Sequence, residues 1–509
     1  MTHIRKISFY SVILLSFILQ GCATMGNHAR SESAVTRVSR LVQDEGVGDA
    51  RYFKVKGKEY LVFDTASKER LENYPQLEGD PAKREFMLSV IRDAKTLGDK
   101  VVDLELSRIS DPNGVSGQIE SYKKEAAVLF AEESNKVRSL SGTEFDAYEK
   151  DLRSHIQPSI KTRGRTMRKI LMLPFAPFVN AWMGIHILSK PHEALAVNFQ
   201  KVDLYTPPSP EAGASADVTL MSDWQLIQRY APFIAMEKKE KVSYDPKADV
   251  FGSVRLDGAI AAKAQPAVRV EDPAVYAYTE TKNVQNVPVK MLVYTLWFPE
   301  RPQIGGGFDP EVGSMQGSII RISLNKFNQP VVYENVSSCG CYYKIFPTES
   351  LEKWAKEAYR TPLEKKNFVV ENKVPGKIDA DVPSLVSVNV ENRPSIALYV
   401  AGTHEVMDIT DSLGQVKAET ERAYRLIAYD ELESLSFNGG VLSLFDNNGL
   451  VRNADRAEAT LLAPSGMFHP GTPRQRGTLM IYFDQADFDE SHLLEKYLRL
   501  PEHAFERAV

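Results

Sequence analysis

The sequence predicts an α+β fold, in which a mainly helical N-terminal region precedes an antiparallel β-sandwich-like domain with added helices. Three observations lead to this expectation. Helical spacing of apolar residues dominates the early part of the chain, short strands separated by turn residues dominate the later part, and a proline- and alanine-rich segment lies between them. With 43% hydrophobic and 25% charged residues, the composition is that of a globular protein.

The N-terminal region, residues 34–206, is expected to consist mainly of helices. Residues 34–44 form the first one, because Val35, Val38 and Val42 fall on one side at helical spacing. Other segments share this period and are rich in the helix-favouring residues Ala, Glu, Lys and Leu. These segments are 81–97, 121–135 and 143–156.

Two further features complete this region. Residues 51–64 contain two strand-like runs around the turn formed by residues 56–58 (Lys-Gly-Lys), which predicts a hairpin. Residues 194–205 alternate between apolar and polar side chains like a strand. The next segment, 207–216, has the composition of a linker, and we place the main domain boundary there.

The C-terminal domain, residues 217–509, is expected to be rich in β-strands. Short strands joined by hairpin turns are typical of an antiparallel sandwich. The predicted strands are 275–279, 289–297, a hairpin of 318–324 with 331–335, a second hairpin of 385–390 with 395–401, and 422–429 and 479–483. The clearest predicted helices are 350–359 and 489–498.

Residues 170–188 form an apolar segment without Lys, Arg, Asp or Glu, and a basic stretch precedes it. One interpretation is a membrane-interface segment with basic residues at the lipid headgroups. The other is a buried connection that packs between two domains. Pro174 and Pro177 would interrupt a spanning helix, and the buried connection is therefore the interpretation that we favour.

The first 21 residues have the pattern of a secretion signal. His3, Arg5 and Lys6 form a basic start, and residues 7–19 form an apolar core that is too short for a comfortable membrane-spanning helix. This pattern indicates an exported protein whose residues 1–21 are removed.

The end of the signal resembles the lipobox of bacterial lipoproteins. Residues 19–22 read Leu-Gln-Gly-Cys, with a small residue directly before the cysteine. The resemblance implies that Cys22 becomes the acylated first residue of the mature protein and that residues 22–33 form a polar tether. Because Ala23 is not an acidic retention residue, the same resemblance implies the outer membrane, with the protein facing the periplasm.

Charge and cysteine content exclude two classes of protein. The net charge of −5 gives no basic surface for nucleic acid, so no nucleic-acid partner is expected. After Cys22 only Cys339 and Cys341 remain, which is too few for a disulfide-stabilised scaffold. The apolar core must therefore hold the fold.

The strongest local signal for chemistry is the segment 337–343, Ser-Ser-Cys-Gly-Cys-Tyr-Tyr. In an oxidising compartment Cys339 and Cys341 could form a small, strained disulfide. They could instead bind zinc together with His404 or His469, since thiolate and imidazole suit that metal. In the third interpretation they are two inert buried residues at a tight turn.

Two resemblances extend over this part of the chain. Residues 230–232 (Tyr-Ala-Pro), 244–246 (Tyr-Asp-Pro) and 401–404 (Ala-Gly-Thr-His) are similar to motifs of a vacuolar-sorting-related domain of unknown function, over residues 224–410. That domain's central His-Gly-Asp-Trp-Glu segment is absent here. The Cys-Gly-Cys-Tyr segment resembles uncharacterised bacterial proteins in which a His follows, where this chain has Tyr343.

No complete catalytic motif is present, and we therefore expect a cell-envelope structural or binding module. Its expected partners are the lipid bilayer, through acylated Cys22, and an envelope protein or a small-molecule ligand. No cofactor is expected, with zinc as the alternative. The competing hypothesis is a metal- or thiol-dependent enzyme around Cys339, Cys341 and His404, where His404 beside Glu405 would act as a general base.

Overall fold

The computed structural model describes most of the chain between Glu32 and Val509. The lipobox, the apolar segment 170–188 and residues 210–216 of the predicted linker lie outside the described residues. No helix in the described part is both long enough and apolar enough to cross a bilayer. The described residues are 32–45, 47–49, 51–71, 74, 77–109, 112–158, 201–209, 217–238, 248–260, 263–303, 311–364, 384–385, 397–400, 404–410, 418–446, 448–457, 459, 469, 471–481 and 486–509.

Over these residues the protein is a mixed α+β structure with several antiparallel sheets. The N-terminal part contains five helices and a three-stranded sheet in the order β2-β1-β3. The helices are α1 (Ala34–Glu45), α2 (Thr65–Arg70), α3 (Asp80–Ser107), α4 (Pro112–Ser139) and α5 (Thr143–His155). The strands are β1 (Phe53–Val55), β2 (Lys58–Phe63) and β3 (Ile156–Pro158).

The sequence predicted four of these five helices and the hairpin, although α3 and α4 extend beyond their predicted ends, and it did not predict the short helix α2. Burial of apolar faces explains the packing, because the valines of α1 join a core with residues of α3, α4, α5 and the sheet. Gly98 of α3 lies against the backbone of β2, where a Cβ atom would approach the carbonyl oxygen of Tyr60 to 2.4 Å. A glycine is therefore required at this contact.

The C-terminal part contains two large sheets. The first has seven strands in the order β13-β12-β11-β10-β9-β8-β17, and the second has five in the order β15-β14-β5-β4-β16. The strands of the first sheet are β8 (Ala274–Val284), β9 (Val287–Arg301), β10 (Gly313–Leu324), β11 (Pro330–Ser337), β12 (Lys344–Pro347), β13 (Ser384–Leu385) and β17 (Arg425–Ala428). Those of the second are β4 (Val202–Thr206), β5 (Phe233–Glu237), β14 (Ala397–Val400), β15 (Val406–Thr410) and β16 (Ala418–Ala423).

Smaller elements accompany these sheets. Two-stranded ribbons pair β6 with β7, β18 with β19, and β20 with β21. Their bounds are β6 (Ser253–Asp257), β7 (Gln265–Arg269), β18 (Leu435–Phe437), β19 (Gly440–Leu442), β20 (Met480–Ile481) and β21 (Ala486–Asp487). The helices are α6 (Asp223–Arg229), α7 (Glu349–Tyr359) and α8 (Leu493–Tyr497), with 3-10 turns at Val218–Leu220 and Tyr429–Glu433.

The long strands β8, β9 and β10 form the centre of the seven-stranded sheet. β8 and β9 are joined by a tight turn in which Gln285 and Asn286 have φ of 51° and 63°, as a hairpin of primed type requires. One hydrophobic cluster contains side chains of both large sheets, including Tyr205 of β4, Tyr294 of β9 and Leu398 of β14. The two sheets therefore share a core.

The sheets are antiparallel in most of their pairings, as expected, but four pairings are parallel. β12 pairs with β13, β17 with β8, β14 with β5 and β16 with β4, all in parallel. Most of the predicted hairpin of 385–390 with 395–401 lies outside the described residues, and its described ends belong to β13 and β14, which lie in different sheets. Parallel partners come from segments far apart in the chain, and no local turn signal marks such pairs.

The position of β4 also differs from the predicted domain division. Residues 202–206 were assigned to the N-terminal region, yet this strand pairs antiparallel with β5 and parallel with β16. The β-rich part of the fold therefore begins before the predicted linker at 207–216. The alternation that indicated a strand is local, whereas the choice of its partners depends on the sheet core that Tyr205 enters.

A cluster of charged side chains, most of them buried, joins the N-terminal part to the β-rich part, and we call it the joint cluster. Its centre is the Glu433 carboxylate, which accepts from Arg108 Nη2 at 2.6 Å and from Arg476 Nη2 at 3.1 Å. Arg108 also binds Asp49 at 3.0 Å, and Asp49 holds Arg51 through two further bonds. The joint cluster consists of Asp49, Arg51, Arg108, Asp430, Glu433 and Arg476.

Replacing Glu433 by Gln is expected to destabilise the protein strongly. The substitution leaves buried guanidinium groups without their shared carboxylate, and breaking a buried ion pair typically costs about 3–5 kcal/mol. Urea denaturation of the wild type and the variant measures the difference. The matched control is Asp93→Asn, which removes the exposed pair with Arg70 and should cost at most about 1 kcal/mol. Equal losses in both variants would contradict a special role of the joint cluster.

Candidate functional site

One end of the seven-stranded sheet gathers buried polar side chains from five separate segments, and we call this the His404 site. It lies where β11 ends at Ser337 and β12 begins at Lys344. Its charged and thiol-bearing members share electrostatic contacts with one another, as described below. They are Asp249, Arg301, Cys339, Cys341, His404 and Arg456.

The imidazole of His404 is fully buried, with 0% of its surface exposed. Nε2 lies 3.0 Å from Oδ1 of Asp249. The ring stacks on the ring of Phe298 at 3.8 Å, with an angle of 1° between their planes. Nδ1 is also buried and has no hydrogen-bond partner among the described residues. His404 is thus oriented on one side by a carboxylate, and its other ring nitrogen is buried and unpaired among the described residues.

The segment that carries His404 is attached to the sheet by the residues that follow it. Glu405 binds Nζ of Lys344 at 2.8 Å, and the backbone N–H of Val406 donates to Oδ1 of Asn335 at 3.1 Å. Asn335 belongs to β11 and Lys344 to β12. His404 is therefore positioned by the same two strands whose connection carries the cysteines.

Asp249 is positioned by the segment that leads into β6. Phe251 packs between Tyr205 and Phe298, with ring centroids 4.4 Å and 6.0 Å away. The backbone N–H of Gly252 donates to the carbonyl of Trp297 at 3.1 Å. A Cβ atom at Gly252 would meet the carbonyl oxygen of Arg269 at 1.9 Å, so only glycine permits this approach.

Cys339 and Cys341 lie in the tight connection between β11 and β12. They are not joined in a disulfide in this structure, and 4% and 6% of their surface is exposed. The backbone N–H of Ser337 donates to the carbonyl of Cys341 at 2.9 Å, and that of Gly340 donates to Ser337 at 2.8 Å. The thiols are in hydrogen-bond contact, which is the main cause that lowers the pKa of Cys339.

The neighbouring strand β10 is hydrogen-bonded to the connection that carries the cysteines. The N–H of Gly317 donates to Oγ of Ser338 at 2.9 Å, and the N–H of Ser338 donates back to the Gly317 carbonyl at 2.8 Å. A Cβ atom at Gly317 would lie 2.7 Å from Ser338. The connection therefore rests directly on β10.

Two buried arginines set the electrostatics of the site. Burial lowers the pKa of His404, Asp249 opposes this, and Arg301 and Arg456 lower the pKa further. Arg456 also lowers the pKa of Cys339, which places both groups within its field. A neutral imidazole with its proton on Nε2, facing Asp249, has a lone pair on Nδ1. This atom can accept a hydrogen bond or a proton.

Left-handed backbone conformations occur at three non-glycine residues of this region. The φ angles are 57° at Met315, 59° at Tyr342 and 65° at His404. Arg456 holds the first of them, because its guanidinium donates to the Met315 carbonyl. Such conformations cost about 1–3 kcal/mol each and persist only where the surrounding structure enforces them. Forming the site therefore costs conformational free energy at these three residues.

The structure brings some of the sequence-predicted residues together and not others. Cys339, Cys341 and His404 lie in one neighbourhood around Arg456. His469 is partly exposed, and its Nδ1 lies 3.3 Å from Oδ1 of Asp455. No three His, Cys, Asp or Glu residues of the described part form a metal-binding group. Zinc stays a prediction, as does the disulfide.

Sequence reasoning missed three members of the site, namely Asp249, Arg301 and Arg456. None of them belongs to a motif with recognisable spacing, and Asp249 stands 155 positions before its partner His404. Contacts over such separations depend on which strands pair. No local sequence signal could have indicated them.

Comparisons of the chain with known protein families, with curated proteins and with solved structures found no match.

The stability of the protein should carry a His404-dependent pH response. In the unfolded chain His404 takes up a proton near its ordinary pKa of 6.5, whereas the folded imidazole has a lower pKa and stays neutral. Its contribution is therefore complete above pH 6.5 and is lost as the pH falls through the folded pKa, by at most about 1.4 kcal/mol per pH unit.

The measurement compares urea denaturation of the wild type and His404→Gln between pH 5 and pH 8. Glutamine can still donate to Asp249 but does not titrate, so subtracting the two curves removes the contribution of all other groups. Parallel curves over the whole range would contradict a buried neutral His404.

Proposed function

We propose that the protein is a lipid-anchored cell-envelope protein that acts as a binding module, with its ligand site at His404. The anchor is Cys22, acylated and inserted in the outer membrane on the periplasmic side. The observation that carries the binding proposal is the buried Nδ1 atom of His404, which lacks a hydrogen-bond partner among the described residues.

The anchor proposal rests on the lipobox-like residues 19–22 and on where the fold begins. Helix α1 starts at Ala34, only 12 positions after Cys22, and Val35, Val38 and Val42 are already buried in the N-terminal core. The joint cluster connects that core to the β-rich part. An acyl chain at Cys22 would hold the whole folded body near the bilayer.

The binding proposal rests on energetics. A buried acceptor without a partner costs about 1–3 kcal/mol, and a ligand that donates a hydrogen bond would recover that cost. Asp249 and Phe298 fix the ring orientation, so the acceptor is preorganised. The ligand class that fits is a small molecule or peptide group with a hydroxyl or amine donor.

This proposal includes a sandwich-like arrangement of the seven- and five-stranded sheets. The shared core of Tyr205, Tyr294 and Leu398 supports it, because side chains from both sheets enter one cluster. In that arrangement the His404 site lies at an end of the layers, where connections rather than strands supply the side chains.

A thiol-dependent enzyme is the second candidate function, and one observation favours it. The pKa of Cys339 is lowered, chiefly by its hydrogen bond to Cys341, so this thiol loses its proton to form a nucleophilic thiolate more readily than an ordinary thiol does. The binding module is preferred because Nε2 of His404 lies against Asp249 and Nδ1 has no hydrogen-bond partner among the described residues, so His404 is not hydrogen-bonded to Cys339. A nucleophile and its base must be in direct contact.

Replacing Cys22 by Ser should abolish lipidation. The full-length wild type, expressed in a bacterial host, is expected to incorporate labelled palmitate and to partition into the detergent phase of a Triton X-114 extract. The variant should do neither, because the acceptor thiol is gone. The control is Cys339→Ser, which should be labelled like the wild type. Labelled Cys22→Ser protein would refute the anchor.

Thiol chemistry separates the binding module from the enzyme. Protein exported to the periplasm, then purified and denatured without reductant, is expected to show no free thiol, and reduction should release the two thiols of Cys339 and Cys341. The native, reduced protein should react slowly with iodoacetamide, because both thiols are buried.

Two results would favour the enzyme instead. One is fast alkylation of Cys339 that slows in His404→Gln, which would show an activated thiol. The other is a pair of free thiols with about one equivalent of bound zinc by elemental analysis. Neither result is expected of a binding module with an inert or oxidised cysteine pair.

A further inference from the structure

A small cavity lies between the seven-stranded sheet and the segment that leads from Arg474 to Asp489. Its open space, about 10 Å³ for a sphere the size of a water molecule, is enough for one water. Thr295 contributes from β9, Tyr429 from the 3-10 turn, and Gln475 and Asp489 from the C-terminal segment. The cavity is distinct from the His404 site.

Three residues that line this cavity each have one buried side-chain oxygen atom without a hydrogen-bond partner among the described residues. These atoms are Oγ1 of Thr295, Oε1 of Gln475 and Oδ2 of Asp489. The orientation of the glutamine amide is settled by its other end, because Nε2 donates to Glu433 at 2.9 Å. Each unpaired atom of this kind costs about 1–3 kcal/mol.

We propose that one buried water molecule occupies this cavity and hydrogen-bonds to Thr295, Gln475 and Asp489. A water can make two to four hydrogen bonds, so a single molecule satisfies all three oxygens. The Thr295 hydroxyl can donate or accept, whereas the Gln475 carbonyl can only accept. The water therefore donates to Gln475 and to the carboxylate oxygen of Asp489, and it accepts from the Thr295 hydroxyl.

A metal cation is a poorer occupant for two reasons. Arg474 and Arg476 both line the cavity, and their positive charge opposes a second cation. Hard cations such as Ca²⁺ also need six or more oxygen ligands, and the cavity offers three unpaired ones. A water molecule carries no net charge and needs only a few hydrogen-bond partners.

The proposed water would connect two buried ionic networks. On one side Gln475 and Arg476 bind Glu433 of the joint cluster. On the other side Asp489 lies 3.7 Å from Nζ of Lys282, and Lys282 also pairs with Glu280. We call this second group the sheet cluster, and its members are Glu280, Lys282, Arg321, Glu334, Tyr343 and Asp489.

The test is a crystal structure of the unlipidated protein, residues 23 onward, at a resolution that shows ordered water. The expected result is one density peak about 2.7–3.2 Å from all three oxygens. An empty cavity would overturn the proposal. So would a peak with shorter ligand distances of about 2.3–2.6 Å and an anomalous signal, which would indicate a metal cation.

Thermal unfolding of two variants provides a second test of the proposed water. Thr295→Val keeps the side-chain shape but removes one hydrogen bond of the proposed water, so the unfolding temperature should fall. The control is Ser323→Ala, which removes a buried hydroxyl that likewise has no described partner but does not line the cavity. It should leave the unfolding temperature unchanged or raise it. An unchanged or higher value for Thr295→Val would contradict a bound water.

Discussion

The Glu433 carboxylate is the interaction on which the arrangement of the protein depends. It lies in the 3-10 turn after β17 and binds Arg108 from the end of α3 and Arg476 from the C-terminal segment. These three residues are far apart in the chain, and burial removes their water. Because buried charges are tolerated only when paired, the helical part can dock on the β-rich part only in an arrangement that brings all three together.

The joint cluster and the His404 site differ in how completely their buried polar groups are paired. In the joint cluster every carboxylate has guanidinium partners, and the short distances reflect full pairing. At the His404 site an imidazole nitrogen is left without a described partner, and non-glycine residues hold left-handed backbone conformations. Natural proteins accept such local costs mainly where a site has a function. This contrast supports the proposal of a ligand site at His404.

Rigid elements support the cysteine connection and the histidine alike. β10 and β11 are buried along nearly their whole length, and the close approach of Gly317 to Ser338 leaves no room for adjustment. A site on such a support keeps its geometry when a ligand binds, which lowers the entropic cost of binding. The same rigid packing keeps the left-handed residues in their unfavourable backbone conformations.

The sequence by itself determined the local elements of this protein. Valine spacing indicated α1, turn residues indicated the first hairpin, and β-branched runs indicated β9, because each pattern is complete within one segment. The choice of Cys339, Cys341 and His404 as residues of interest also came from the sequence. That they lie close to Asp249, Arg301 and Arg456 could not be predicted from the sequence.

Only the tertiary structure decided which segments meet. The parallel partners of β8 and β5, the place of β4 in the sheets and the pairing of Asp249 with His404 all join residues separated by long stretches of chain. Local periodicity states which face of a strand or helix is apolar, and many partners can cover such a face. The partner is selected by the packing of the shared core and by the requirement that every buried charge be paired, and both are properties of the whole fold.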